Sequence, residues 1–263
     1  MTYDINTDKT AWVTILQSAI TEPGKLSAGY SAFHSYSLGN QLAAAFQLES
    51  KGLPIAPIAS FRAWKEKGRN VKKGEKALAL CMPVSMKGTK HTTKGDEEFT
   101  FNRFVWRNNW FSLDQTEGED YQNEVTIPVW DKNAALLALE ITEGRFNLID
   151  GNCQGYADRN MIAINPLAVL PHKTRFHELA HVVLGHTVEN LMSDNDKTPK
   201  SIKEAEAEGV AYLLCTLLGL PGQAESRDYI QSWLQGATIP EKSAQKIFGA
   251  ADKILKAGKL ISV

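Results

Sequence analysis

The chain has 263 residues, 43% hydrophobic and 22% charged, which excludes a wholly disordered or collagen-like polymer and leaves enough apolar side chains for a sizeable core. A formal charge of −1, from 29 basic and 30 acidic side chains, excludes a chain that is basic throughout but leaves room for a local basic patch. Three widely spaced cysteines, Cys81, Cys153 and Cys215, argue against a disulfide framework or a C-x-x-C metal site and point to a reducing compartment.

The N-terminus carries acids where a signal peptide needs basic and then apolar residues, and no run approaches about 18 uninterrupted apolar residues. The expected location is therefore cytoplasmic, with no membrane partner. Trp12, Ile15, Leu16, Ala19 and Ile20 recur at helical spacing up to a Pro23-Gly24 stop. Leu38, Leu42, Ala45 and Phe46 mark a second helix that ends at Gly52-Leu53-Pro54. Phe61 to Lys67 reads as a short basic helix ended by Gly68, and Ala77 to Pro83 and Phe99 to Ser112 read as strands flanking a Lys/Gly/Thr-rich turn.

Charge is unevenly distributed over this half. From Phe61 to Lys94 there are ten basic residues against two acidic ones, whereas Asp114 to Glu124 holds five acids and no base and lacks a hydrophobic period. The acidic stretch reads as a linker, so the domains are expected at 1–125 and 126–263. The basic segment is interleaved with rings: Phe61 and Trp64 flank Arg62, and the later strand carries Phe101, Arg103, Phe104, Trp106 and Arg107. Stacking of bases on rings, with cations neutralising phosphates, is how single-stranded nucleic acid is held without sequence preference. Single-stranded DNA is the expected partner, with Arg62, Trp64, Arg69, Lys72, Lys73, Lys76 and Trp106 as contacts.

The second half opens with a helix over Lys132 to Glu140 and a strand over Arg145 to Ile149. A hairpin follows from Gly155 to Asn165, turning at Asp158 to Asn160. Helices are expected at about Lys173 to Leu184, Ile202 to Leu218, Ser226 to Leu234 and Glu241 to Leu255. Strands and helices segregate along the chain, so both halves read as α+β.

Within the first of those helices lies His177-Glu178-Leu179-Ala180-His181. Residues four apart on a helix share a face, so both imidazoles can grip one ion while Glu178 stands ready to take a proton from an ion-bound water. Zn2+ is the expected ion, with Mn2+ or Co2+ as alternatives because mixed nitrogen and oxygen ligation is not selective. A third ligand is sought in Glu204-Ala205-Glu206-Ala207-Glu208. Glu204 and Glu208 share a face and Glu206 points away, towards solvent; Glu208 is preferred because it leads into an apolar run. His186 falls one place short of the longer H-E-x-x-H-x-x-G-x-x-H pattern and reads as a structural histidine after Gly185, and His172 reads as a surface residue.

Together the two halves resemble the ArdC-type antirestriction proteins. The N-terminal resemblance rests on Tyr36-Ser37-Leu38-Gly39-Asn40-Gln41-Leu42, Phe61-Arg62-Ala63-Trp64, Gly68-Arg69-Asn70-Val71-Lys72-Lys73-Gly74-Glu75-Lys76 and Phe111-Ser112-Leu113-Asp114-Gln115-Thr116-Glu117-Gly118. These segments are similar to the family's single-stranded-DNA-binding domain. Gly155-Tyr156, the HExxH segment with Gly185-His186, and Glu208-Gly209-Val210-Ala211 resemble its gluzincin-like domain and ImmA/IrrE-type relatives. The resemblance implies a plasmid or phage protein that shields incoming DNA from host restriction and carries a metal-dependent, peptidase-like site. Two other readings stand beside it: a DNA-localised metallopeptidase acting on a protein substrate, and a DNA-binding protein whose metal only holds the fold.

Overall fold

The computed structural model describes residues 5, 8–33, 35–92, 95–121, 129–148, 153–188, 198–234 and 238–259, with backbone alone at 23, 25, 90–92, 95–97, 229 and 231–234. It is an α+β protein. Contacts gather the chain into two compact units that interleave along it, one formed from Met1–Asp8 and Ala43–Glu124 and the other from Lys9–Leu42 and Val125–Val263. The unit boundaries thus fall near residue 125 and also near residues 8 and 42.

The first unit is organised by a long hairpin, β3 (Leu78–Thr92) with β4 (Gly95–Ser112), flanked by β1 (Ile58–Ser60) in the order β1-β4-β3. The strands reach well beyond the expected segments, and the turn at residues 93–94 lies outside the described residues, as does the end of the acidic stretch at 122–124. Between the strands of this sheet and the pair β2 (Arg69–Val71) and β5 (Thr116–Gly118) sits α4 (Phe61–Glu66). Ser60 caps α4 by accepting from Ala63 N. Three polar side chains tie these pieces down. Gln47, in α3 (Leu38–Ser50), donates to the Ala43 and Ala79 carbonyls and accepts from Ala79 N. Gln115 accepts from Ser112 N at 3.0 Å and donates to Glu75 and the Lys76 carbonyl. Trp64 donates its indole N–H to the Phe111 carbonyl at 2.8 Å.

In the second unit, α1 (Ala11–Thr21) and α2 (Pro23–Phe33) join α5 (Lys132–Leu139), α6 (Pro171–Val183), α7 (Lys200–Leu217), α8 (Gln223–Leu234) and α9 (Glu241–Ala257). The Pro23-Gly24 pair, read from sequence as a stop, also starts α2: proline's fixed φ and missing N–H suit a first helical turn. The early helices bury Ile15, Leu16, Leu26 and Phe33, and two acids fix their ends. The Glu241 carboxylate accepts from Trp12 N and Val13 N, each at 3.0 Å, and Asp252 accepts from Leu38 N at 3.0 Å, so acids of α9 face the positive N-termini of α1 and α3. From α7, Tyr212 donates to the Ala19 and Ile20 carbonyls.

A small sheet of order β6-β8-β7 comprises β6 (Thr142–Glu143), β7 (Gly155–Asp158) and β8 (Met161–Ile164). The strand expected at Arg145 to Ile149 is not found over its described residues 145–148; β6 lies just before them. β7 and β8 make the expected hairpin, with Arg159 in the left-handed region at φ 50. Arg175 of α6 pairs with both oxygens of Glu143 at 2.9 Å and so anchors α6 to the sheet. α6 and α7 pack together, with Ala205 to Thr216 buried along α7. This fixes the register between the two helices that carry the centre described next.

Candidate metal centre

α6 presents His177 and His181 one turn apart, and α7 presents Glu204 opposite them. His177 Nε2 and His181 Nε2 are 3.1 Å apart, and Glu204 Oε2 lies 3.3 Å from the first and 3.6 Å from the second. One ligand atom from each residue therefore converges on a single point, and among the described residues this is the only such His/Cys/Asp/Glu group. Ligand atoms about 2.1 Å from a tetrahedral ion stand about 3.4 Å from one another. The observed separations fit a divalent ion without rearrangement.

Glu208 is not part of that convergence, which corrects the preference for it as third ligand. Its Oε2 accepts from the other face of His177, at Nδ1, 2.9 Å away, and its Oε1 meets Lys173 Nζ at 2.5 Å. The inference of burial was right and its consequence was not: the deeper carboxylate is already engaged by a lysine and an imidazole, while the shallower Glu204, one turn earlier, reaches the open side. Glu206 is a second correction. It is 0% exposed rather than solvated, and its Oε2 lies 2.9 Å from His186 Nε2. His186 in turn places Nδ1 3.0 Å from His181 Nδ1. His172 lies apart from the converging atoms and bonds the Pro221 carbonyl at 2.8 Å.

Gly185 builds the second of these contacts. At φ 74 it reverses the chain after α6, Gly185 N bonding the Val182 carbonyl and His186 N the His181 carbonyl. This left-handed C-terminal motif returns His186 beneath His181. Gly155, at the start of β7, serves the opposite side of the centre: a Cβ there would stand 2.6 Å from Thr174 Cγ2, 3.1 Å from the Ala163 carbonyl oxygen and 3.2 Å from Glu178 Cγ. The strand thus passes directly over Glu178.

Imidazoles and carboxylates shift one another strongly at this centre. Burial pulls the His177 imidazolium down, but the carboxylates of Glu204 and Glu208, with Glu178 nearby, outweigh it and hold the pKa at about 9. Glu204 and Glu208 respond in the opposite sense. Burial would raise each, yet His177 with His181 holds Glu204 well below the usual carboxylate range, and His177 with Lys173 brings Glu208 to about 2. Glu178 is pushed up by burial, which outweighs the opposing pull of His177 and His181, with the Glu204 charge adding to it. Burial keeps His186 below the ordinary imidazole value despite Glu206.

The expected DNA contacts divide by exposure. Lys73 and Lys76 are exposed, as are Lys72, whose Nζ donates to the Asp114 carbonyl, and Arg62, which pairs with Glu66. Trp106 is half-buried. Trp64 is only 1% exposed, with Tyr121 against its edge, so it is a core residue and not a stacking platform. Arg69 is committed to Thr116 Oγ1 and to the carbonyls of Thr116 and Glu119. Large rings are instead open on the distal hairpin: Phe104 is 67% exposed, and Phe99 and Phe101 are also exposed beside Arg103 and Arg107.

This combination defines an α+β protein of two units, one bearing an exposed aromatic and cationic hairpin and the other a histidine–carboxylate centre on facing helices. Residues 5–133 match the family model for the N-terminal domain of anti-restriction factor ArdC. The metal-free crystal structure of the antirestriction ArdC protein from plasmid R388 is similar over 94% of each chain, at 22% identity and a TM-score of 0.52. Its Mn(II)-bound structure is similar over 94% of this chain and 97% of the other, at 20% identity and a TM-score of 0.50. The chain thus carries an ArdC-type N-terminal domain over residues 5–133 and shares the fold of the R388 protein. No curated protein matched its sequence. Among the described residues, no helix is long and apolar enough to cross a membrane.

Proposed function

We propose that this chain is a cytoplasmic antirestriction protein of a plasmid or phage. In this reading it holds single-stranded DNA on the first unit and one divalent ion on the second, in a gluzincin-type, peptidase-like centre. The observation that carries the metal reading is the convergence of His177 Nε2, His181 Nε2 and Glu204 Oε2 beside a buried Glu178. The two-nitrogen, one-oxygen donor set suits Zn2+ and Mn2+ alike, and the Mn(II)-bound relative supports a divalent ion. When bound, such an ion supplies an acidified water and polarises a carbonyl.

The chain's own residues do the rest. Glu178 takes the proton. β7 is an outer strand, and the Asn165 N to Gln154 carbonyl bond sets the alternation so that Gly155 and Ala157 direct their backbone groups away from β8. An extended peptide can add to that edge as a further strand, passing over Glu178 without needing a particular side chain. The open edge favours a proteolytic activity at this centre, and the presence of Glu178 weighs against an ion that only holds the fold.

For DNA, the support is the exposed rings of Phe99, Phe101 and Phe104 in the same strand as the exposed Arg103 and Arg107, together with Lys72, Lys73 and Lys76. A restriction-protection assay in cells tests the whole reading, comparing the wild type, Glu178→Gln, and a hairpin variant combining Phe104→Ser, Arg103→Gln and Arg107→Gln. The hairpin variant is expected to lose both single-stranded-DNA binding and protection. Glu178→Gln is expected to keep metal and DNA and lose any peptide cleavage. Unchanged DNA affinity and protection in the hairpin variant would overturn the DNA reading.

A further inference from the structure

Behind the second nitrogen of each ligand imidazole lies a buried acid, in direct contact on one arm and reached through a further histidine on the other. On one, His177 Nδ1 meets Glu208 directly, with Lys173 behind it. On the other, His186 stands between: His181 Nδ1, His186 Nδ1, His186 Nε2 and Glu206 Oε2 follow in series, at 3.0 Å and 2.9 Å, with Lys246 Nζ 3.9 Å from Glu206 Oε1. The His186 and Glu206 side chains are 2% and 0% exposed, so neither of these two residues is relieved by solvent.

We infer that His186 and Glu206 are positioning residues that fix His181 as a metal ligand through a two-membered hydrogen-bond relay. This rests on the metal reading proposed above. The assignment follows from counting protons. An ionised Glu206 only accepts, so His186 must carry its hydrogen on Nε2. A neutral His186 then offers a bare Nδ1, which accepts from His181 Nδ1–H. That hydrogen bond leaves His181 Nε2 with its lone pair, directed at the point shared with His177 Nε2 and Glu204 Oε2. The reverse order, with His186 donating from Nδ1, would place a hydrogen on His181 Nε2 and destroy the ligand. Outer hydrogen bonds of this type hold ring orientation and raise ligand basicity.

The local sequence explains how two residues absent from the HExxH pattern reach this place. Gly185 supplies the left-handed turn that brings His186 back under His181. The alternate spacing of Glu204, Glu206 and Glu208 on α7 then lets one helix contribute a ligand and the acid at the end of each arm.

The test uses the full chain, with Mn2+ and Zn2+ each measured by competition titration against a chromophoric chelator. Four forms are compared: wild type, His177→Ala, His186→Leu and His186→Gln. His186→Leu is expected to bind about 10- to 100-fold more weakly. His186→Gln, whose amide oxygen can still accept from His181 Nδ1–H, is expected to recover most of that loss, which a merely structural role would not predict. In the Zn2+-loaded wild type, nitrogen-resolved imidazole NMR is expected to place hydrogens on His181 Nδ1 and His186 Nε2. Wild-type affinity in a folded His186→Leu, or a hydrogen on His186 Nδ1, would overturn the relay while leaving the centre standing. Equal metal uptake by wild type and His177→Ala would instead sink the metal reading itself. Should His186→Leu fail to fold, His186→Gln and the wild-type spectra decide: a hydrogen on His186 Nε2 supports the relay and one on Nδ1 refutes it.

Discussion

A residue's neighbours, more than its type, decide its role in this centre. Three glutamates two apart on α7 have three different fates: Glu204 faces the shared point, Glu206 ends the His186 series, and Glu208 is held between His177 and Lys173. The His177 pKa of about 9 gives this arrangement a pH signature. Because the folded value lies above the ordinary 6.5, the His177 ion pairs of the metal-free protein contribute their full stability below about pH 6.5 and lose it as pH rises through about 9. Over that window a metal must displace the His177 proton. Loading at pH 7.5 is expected to release about one proton, measured by calorimetry in two buffers of different ionisation heat; identical heats in both would contradict it. Gly185 makes a second prediction at this scale. Ala there must adopt φ 74, at a cost of about 1–2 kcal/mol. Gly185→Ala should therefore lower stability in denaturant titration and weaken metal binding together, since His186 moves with the turn.

At the scale of elements, the helices carrying the centre were the most legible part of the sequence, because HExxH spacing and apolar periodicity describe the same face of α6. The choice between Glu204 and Glu208 was not legible. They share a face of α7, and only the packing register of α6 against α7 decides which one reaches both Nε2 atoms. Trp64 misled for a related reason: a ring among cations looks like a stacking platform, but its indole N–H is taken by the Phe111 carbonyl inside the fold. The hairpin was read too short because polar and glycine-rich residues at 87–95 resemble a turn, whereas the strands pair to Thr92 and Gly95. Its exposed rings carry the next prediction. Arg103→Gln with Arg107→Gln should weaken single-stranded DNA binding uniformly across sequences and reduce the salt slope by about 1.4, whereas Phe104→Ser should weaken binding and leave the slope unchanged. Equal slopes for the arginine variant and wild type would remove those residues from the phosphate contacts.

For the whole molecule, chain order and compactness part company. Residues 9–42 group with 125–263, held by the buried apolar faces of α1 and α2, by Trp12 against Phe248 and by two acids of α9 that cap α1 and α3. Glu241→Ala and Asp252→Ala are each expected to cost about 1 kcal/mol and to speed amide exchange in the first turns of α1 and α3 respectively. A fragment cut at residue 125 separates α1 and α3 from those caps, so activities are best compared in point variants of the full chain. The central claim is that His177, His181 and Glu204 together hold one divalent ion. Its most direct test is metal content per chain, by elemental analysis after loading with Mn2+ or Zn2+ and desalting, in the wild type, Glu204→Ala and Glu208→Ala. The account predicts one ion per chain in the wild type, retention at reduced affinity in Glu208→Ala, and loss in Glu204→Ala. Full retention in Glu204→Ala with loss in Glu208→Ala would contradict it.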